Sequence, residues 1–401
     1  MHDRIDRSDD PRTAPLTVLY SFPFAIGSPG IGMTAWNQVT ELVAAGHSVH
    51  LVTASMARDI PGLASLRKTL VVAGRRVPHR LLGQHRAFAY TDAVASRMVA
   101  RHRPDVVHTW PLGAKRTLRA AAALGIPGLR EVPNTHTGHA YAVVAEEYAR
   151  LGLPVPPGSS HEYNEDRLRE EEAEWSLAEG LLVPSDTVAQ SFLDRDFPEE
   201  RLLRHRYGYN PDDLGAAPQR KAAAPFTAVF VGRCEPRKGL HHALRAWRAS
   251  NASRTGRFLI YGNFIPGYRE HLEPLLDSPG VEVRGFTSKV EDAFAEADVL
   301  LLPTVEEGSA LVTYEAQALG CVPLVSTESG AYIVDGEHGL THSPGDVGAL
   351  TEHLDRLDSD RALLARMRAR DLEHAPDLTW AAANESLVGN YRTAIARTAA
   401  A

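Results

Sequence analysis

Four charged side chains stand at spacings that could hold a charged ligand. Seven residues separate Glu307 from Glu315, and Arg233 and Lys238 flank a short segment earlier in the chain. On a helix the two carboxylates would be about 12 Å apart, at a rise of ~1.5 Å per residue. That distance matches the span from a hexose to the ribose of a nucleotide diphosphate sugar.

The elements around the two acids are predicted from the hydrophobic pattern. Residues 299–302 form an apolar run typical of a buried strand that stops at a proline. Helical spacing follows an acidic loop and ends at Gly320, so Glu307 is predicted where the helix begins. The first free amides of such a helix would face an anion, and they belong to Gly308, Ser309 and Ala310.

The first half of the chain opens with a strand–helix–strand pattern. Residues 17–22 and 49–53 read as strands, and a glycine loop that contains Gly30 and Gly32 precedes a helix over 34–45. A nicotinamide site is disfavoured here. The loop lacks the third glycine of that fingerprint, and the second strand ends without an acid to hold a ribose.

Bulk composition excludes several classes of protein. A chain of 401 residues predicts two domains. Its net charge of −7 and pI near 6.2 argue against nucleic acid as a partner. Two cysteines cannot build a disulfide framework, which favours a cytoplasmic location. The polar start resembles no signal peptide, and no apolar run approaches the ~20 residues of a membrane span.

The sequence around Glu307 and Glu315 resembles the signature of a known family. The segment from Glu307 to Glu315, the run that continues to Pro323, Gly330 and residues 335–339 resemble the family 4 retaining glycosyltransferases of the GT-B fold. The Gly-Arg…Lys-Gly stretch at 232–239 is also similar to that family. One departure is that the family commonly carries Glu-Gly-Phe-Gly where this chain has Glu-Gly-Ser-Ala.

The resemblance implies an α/β architecture with two Rossmann-like parallel-sheet domains facing each other across a cleft. The composition changes between Asn210 and Pro225, where a stretch that contains Pro, Ala and Asp predicts the hinge. An acceptor-side domain is therefore expected at residues 1–215, a linker at 216–225 and a donor-side domain at 226–375. A final helix in 376–401 would cross back onto the first domain.

The resemblance also assigns roles to individual residues. Arg233 and Lys238 would grip the diphosphate, Glu315 the ribose, and Glu307 the sugar hydroxyls or the positive charge at the anomeric carbon. His136 would touch the sugar, although His139 is a rival and a capping role is the alternative. The other residues expected at the donor are Gly308, Ser309, Ala310, Leu311, Phe286, Gly30 and Gly32.

The function implied is transfer of a hexosyl unit, with retention, from a nucleotide diphosphate sugar to an acceptor hydroxyl. UDP-sugars are favoured and GDP-sugars remain open, with neither metal nor cofactor expected. The alternatives are a sugar-nucleotide epimerase or hydrolase, a pyridoxal-phosphate phosphorylase, and a non-catalytic sugar-nucleotide binding module. The acceptor class is left open.

Residues 67–103 are rich in arginine and lysine, with interleaved apolar side chains. Solvated helix faces are the favoured interpretation. The alternative is a surface for an anionic acceptor or a weak peripheral contact with the inner face of a membrane.

Overall fold

The computed structural model describes residues 14–72, 75–77, 83–218 and 224–400. Two parallel sheets dominate it. The strands of the first half are β1 Thr17–Ile26, β2 Ser48–Met56, β3 Ser65–Lys68, an antiparallel ribbon of β4 Val71–Val72 and β5 Arg75–Arg76, β6 Val106–Thr109, β7 Gly128–Glu131, β8 Gly180–Val183 and β9 Leu202–Arg204. Those of the second half are β10 Thr227–Val231, β11 Arg257–Tyr261, β12 Val281–Gly285, β13 Val299–Leu302, β14 Val322–Ser326 and β15 Leu340–His342. The strand order is β3-β2-β1-β6-β7-β8-β9 in the first sheet and β12-β11-β10-β13-β14-β15 in the second.

Helices cover both faces of each sheet. Those of the first half are α1 Ile31–Ala44, α2 Gln84–His102, α3 Lys115–Ala122, α4 Thr137–Arg150, α5 Glu165–Leu177, α6 Asp186–Leu193 and α7 Pro211–Leu214. Those that follow are α8 Leu240–Ala249, α9 Tyr268–Leu276, α10 Val290–Ala295, α11 Leu311–Ala318, α12 Val347–Ser359, α13 Arg361–His374 and α14 Trp380–Ala400. Because both faces are covered, every residue of β10 and β13 is buried, as continuous apolar strands require.

The predicted fold class is confirmed: two Rossmann-like domains of parallel strands face each other. The boundaries differ in detail, since β1 continues to Ile26 rather than ending at 22, and α1 begins at Ile31 rather than 34. The domain limits given above remain predictions, and residues 219–223 of the expected linker lie outside the described ranges.

The basic segment lies on the surface of the first domain. Its described arginine and lysine side chains are exposed, among them Arg67, Lys68, Arg86 and Arg97, whereas Arg80 lies outside the described residues. Within the described ranges, no helix combines the length and the apolar character needed to cross a bilayer.

Helix α14 packs on the first domain through a buried polar network. The Tyr391 hydroxyl lies 2.6 Å from Nδ1 of His108, whose Nε2 is 3.3 Å from Glu131 Oε2. The other oxygen of Glu131 accepts from Tyr207 at 2.8 Å and lies 2.9 Å from His205 Nε2. Each of these side chains is at most 7% exposed, so every polar atom left without a partner here would cost stability.

We expect Tyr391→Phe to destabilise the protein. The substitution removes one hydroxyl and leaves a buried ring nitrogen of His108 without its partner, which typically costs about 1–3 kcal/mol. Thermal unfolding should show a lower midpoint than for the wild type. Tyr90→Phe is the matched control, because Tyr90 is 51% exposed. Equal midpoints for the two variants would contradict a stabilising role for the Tyr391 contact.

Candidate active site

The signature loop joins β13 to α11, and its geometry differs from the sequence-based expectation. Helix α11 begins at Leu311, so Glu307 lies in the loop four residues before it and not at the helix start. The amide of Ala310 is not free either, because it donates to the carbonyl of Ser329 at 3.1 Å. Ala310 has a φ of −73°, so its replacement of the family's glycine causes no backbone strain.

The first domain packs directly against this loop at Gly308. A Cβ on Gly308 would lie 1.8 Å from the carbonyl oxygen of Pro133, so only glycine allows this approach. The Ser185 hydroxyl donates to the Gly308 carbonyl at 2.6 Å. The loops that follow β7, β8 and β13 therefore meet at one point, where the carboxyl ends of the two sheets face each other.

Two cations meet the carboxylate of Glu307. Lys238 Nζ contacts Glu307 Oε2 directly, and Arg237 NH1 lies 3.1 Å from the same oxygen. Arg237 also donates to the backbone carbonyl of Glu306 at 2.8 Å. Burial and the charge of Arg237 lower the pKa of Lys238 to about 7, whereas contact with a carboxylate favours its charged form.

Glu306 is a fully buried carboxylate that joins the two domains. The hydroxyl of Thr135 donates to Oε1 at 2.7 Å, and His161 Nε2 and Arg237 NH1 lie 3.4 Å and 3.3 Å from Oε2. Burial alone would raise the pKa of Glu306, but these partners hold it well below its ordinary range. Glu306 therefore carries a paired charge in this structure.

Sequence reasoning assigned no role to Glu306, Arg237 or His161. Arg237 could have been identified, since it lies inside the basic stretch beside Lys238. Thr135 and His161 carried no such signal, because their partner is more than a hundred residues away in the chain.

Arg233 lies at the edge of the same charged group. Its side chain is 62% exposed, and its Nε is 3.5 Å from Glu235 Oε2. It borders a small cavity of about 120 Å³ together with Arg237, Tyr148 and His161. The two predicted diphosphate cations thus lie in one neighbourhood, but only Lys238 contacts an acid of the signature.

Glu315 lies half-buried on α11 and differs from Glu306 in having no compensating charge. Burial, followed by repulsion from Asp213 and Glu291, raises the pKa of Glu315 to about 7. Among the described residues, no side chain forms a hydrogen bond or ion pair with its carboxylate. A ligand with hydroxyl donors would relieve this cost.

His136 caps a helix in this structure. Its Nδ1 accepts the Gly138 amide at 3.1 Å at the start of α4, and its ring packs against Trp175 and Phe192. Burial, followed by repulsion from Arg195, lowers its pKa to about 4. The imidazole is therefore neutral, and because Nδ1 is the acceptor, its proton resides on Nε2. The structure therefore shows the capping role, and contact between His136 and a sugar stays a prediction.

The remaining predicted donor residues lie in separate loops. Gly30, with a φ of 80°, precedes α1, and a Cβ on Gly32 would lie 2.4 Å from Ser28 Oγ, so this loop is tightly folded. Phe286 follows β12 and is 70% exposed. Ser309 donates to or accepts from the Tyr314 hydroxyl at 2.8 Å, and Leu311 is the first residue of α11.

A cavity larger than the one beside Arg233 does not border the charged group. It has a volume of about 640 Å³ and lies between the domains beside the ends of β8, β9 and β14, where Ser185, Arg206, Ser329 and Tyr332 contribute to its wall. Neither Lys238 nor Arg233 borders it, and we base the site on the charged side chains.

Comparison with known proteins finds similarity to glycosyltransferases over almost the whole chain. Residues 29–212 match the family described as Glycosyltransferase Family 4, and residues 225–360 match Glycosyl transferases group 1. A D-inositol 3-phosphate glycosyltransferase from Stackebrandtia nassauensis is 34% identical over 343 residues, which cover 78% of this chain and 73% of that protein. One with the same name from Corynebacterium glutamicum is 25% identical over 92% of this chain and 93% of its own length.

Solved structures share the fold at lower identity. A sucrose-phosphate synthase from Thermosynechococcus elongatus superposes with a TM-score of 0.68 at 18% identity, over 96% of this chain and 100% of that one. Anabaena HepE in complex with UDP gives a TM-score of 0.65 at 14% identity, over 94% of this chain and 100% of that one. From these matches and the geometry of its site, the chain is a glycosyltransferase that belongs to family 4, with the GT-B fold.

Proposed function

We propose that the protein transfers a hexosyl unit from a nucleotide diphosphate sugar, with UDP-sugars favoured, to an acceptor hydroxyl with retention of the anomeric configuration. The observation that carries this proposal is the cluster of Arg237, Lys238 and Glu307, with Arg233 beside it. Cations fixed at this position would stabilise a departing nucleoside diphosphate as its negative charge grows. With them, the diphosphate needs no divalent ion.

Glu307 would change partners during the reaction. In the structure it neutralises Lys238 and Arg237, so the positive charges are already occupied by a carboxylate. A diphosphate would compete for the same cations, and this competition would release Glu307 to bind the sugar hydroxyls or to face the anomeric carbon. The free site thus avoids leaving buried cations without a counter-charge.

Donor binding would require the two domains to separate. The cavity beside Arg233 measures about 120 Å³, whereas sites for ligands of this size are typically ~300–1,000 Å³. The contacts of Gly308 with Pro133 and of Glu306 with Thr135 bring the domains together beside Glu307. Reclosure over the bound donor would exclude water that competes with the acceptor.

Retention is proposed to occur without a covalent intermediate. The resemblance to the family supports a same-face displacement in which the departing phosphate helps to deprotonate the acceptor. A glycosyl group trapped on any side chain of the protein would contradict this mechanism.

The acceptor is proposed to bind the first domain beside the glycine loop. A cavity of about 240 Å³ there is bordered by Ser28, Ser55, Met56 and Lys68. Hydroxyl groups and a lysine suit an acceptor that carries both hydroxyls and a negative charge. Because relatives bear the name D-inositol 3-phosphate glycosyltransferase, D-inositol 3-phosphate is the first acceptor to test.

The decisive experiment measures whether donor consumption depends on an acceptor. Purified protein is incubated with UDP- and GDP-sugars, with and without D-inositol 3-phosphate, glucans and simple glycosides, and products are identified by mass. A glycosylated acceptor whose formation accounts for the donor consumed supports transfer. Donor conversion at the same rate without any acceptor would instead support the epimerase or hydrolase alternative.

We expect Lys238→Ala to lower turnover by at least ~100-fold, the range seen when one oriented electrostatic donor is removed. Lys115→Ala is the matched control, because Lys115 pairs with Glu170 on the first domain and lies outside the charged group. Steady-state rates with saturating donor provide the measurement. A near-normal rate for Lys238→Ala would remove this lysine from the mechanism.

Donor affinity should depend on pH through Glu315. Ribose hydroxyls would bond to the ionised carboxylate and lower its pKa from the value of about 7 in the free protein. Binding would then release a proton from Glu315, whereas Lys238, whose pKa is also about 7, would favour its charged form as it pairs with the diphosphate. Between pH 8 and pH 6 the affinity for UDP-glucose should therefore fall about tenfold more in the wild type than in Glu315→Gln, because both proteins keep Lys238. This ligand is suitable because its pyrophosphate has no titrating group in that range. Calorimetry of both proteins tests the assignment, and an equal pH dependence of the two would contradict it.

A further inference from the structure

A second cluster joins the two domains outside the proposed donor site. Glu147 lies on α4 of the first domain, and His241 and His242 lie in the first turn of α8 in the second domain. The three residues are 1%, 1% and 7% exposed. The mechanism above gives none of them a role.

The ligand atoms of these residues converge. Nε2 of His241 lies 2.6 Å from Glu147 Oε1, and Nε2 of His242 lies 2.8 Å from the same oxygen. All three ligand atoms lie within 4.8 Å of one another, and no other group of three potential ligands in the described part of the chain meets this criterion.

Neighbouring side chains hold this orientation. The Tyr268 hydroxyl lies 2.8 Å from Nδ1 of His241, which leaves Nε2 of that ring to face the cluster. Arg150 NH1 lies 3.2 Å from Glu147 Oε2, which leaves Oε1 to face the two histidines. Metal-binding histidines are commonly oriented in this way, through a partner on the other ring nitrogen.

Hydrogen bonds within the cluster do not satisfy all of its polar atoms. Nδ1 of His242 is buried without a partner among the described residues, as are both ring nitrogens of nearby His342. The Nε2 atoms of His241 and His242 both lie within hydrogen-bond distance of a carboxylate oxygen, which only accepts, so each Nε2 carries a proton in this structure. A metal ion that binds there must displace these protons.

We propose that Glu147, His241 and His242 bind a divalent transition-metal ion, with Zn²⁺ as the best fit, that bridges the two domains. Two imidazole nitrogens and one carboxylate oxygen form a ligand set that Zn²⁺ accepts, with a fourth position for water. At bond lengths of about 2.0–2.1 Å, tetrahedral ligands are roughly 3.3 Å apart, so each imidazole nitrogen would move about 0.5–0.7 Å further from the carboxylate oxygen to admit the ion.

The ion would favour the closed arrangement of the domains. Its ligands come from both domains, so separating the domains would break at least one metal–ligand bond. This role differs from holding the diphosphate, which is proposed for Arg233 and Lys238. It stands whether or not the proposed transferase reaction is correct.

The experiment measures metal binding by the full chain without any substrate. Protein freed of metal with a chelator is titrated with Zn²⁺ by calorimetry and with Co²⁺ by visible absorption, which reports tetrahedral coordination. We expect one ion per chain, with at least tenfold weaker binding in Glu147→Gln and in His242→Gln. His338→Gln is the matched control, because His338 and His374 form a separate stacked pair with ring centroids 4.6 Å apart, and this variant should bind as tightly as the wild type.

Domain closure provides a second readout. Small-angle scattering should give a smaller radius of gyration for the wild type with Zn²⁺ than without it, and no such change for Glu147→Gln. Wild-type protein that binds no stoichiometric ion would overturn the proposal even if the variants fail to fold. Equal binding by wild type and both cluster variants would also overturn it, and the cluster would then be a hydrogen-bonded contact only.

Discussion

The arrangement of the two domains depends on a buried negative charge at the point where they meet. A buried carboxylate is stable only when cations and hydrogen-bond donors surround it. Glu306 finds them on both sides, with Thr135 and His161 from the first domain and Arg237 from the second. The position of the first domain's loop relative to the basic stretch is therefore fixed by electrostatics as well as by the close packing at Gly308.

Glu306 and Glu315 differ in their surroundings, which indicates a structural role for the first and a ligand-binding role for the second. Glu306 has a full set of partners, and its pKa lies well below the ordinary range. Burial and the negative charges of Asp213 and Glu291 raise the pKa of Glu315 to about 7. Such a carboxylate lowers the stability of the free protein at neutral pH. Its presence on α11 is accounted for if a ligand supplies the missing donors, as the ribose of the proposed donor would.

Sequence patterns predicted those parts of the molecule that depend on short-range order. The apolar run of β13 and the helical spacing of α11 identified the loop between them, because burial on both faces imposes such patterns locally. The hydrogen-bond partners at the candidate site depend instead on contacts between residues far apart in the chain. The Ala310 amide bonds to Ser329, and His161 bonds to Glu306 across the domains, so neither partner follows from local periodicity.

The segment that leads into α8 contacts both the first domain and the proposed diphosphate position. Lys238 and His241 are three residues apart, and the first contacts Glu307 while the second contacts Glu147 of the first domain. Lys238 ends a 3₁₀ turn, and His241 lies in the first turn of α8, with Gly239 and Leu240 between them. A displacement of this short segment would therefore change both contacts together. Since a densely packed element moves as a unit, closing the domains around Glu147 would also fix the ammonium of Lys238. The cation proposed to bind the diphosphate would then reach its working position only when the cleft excludes water.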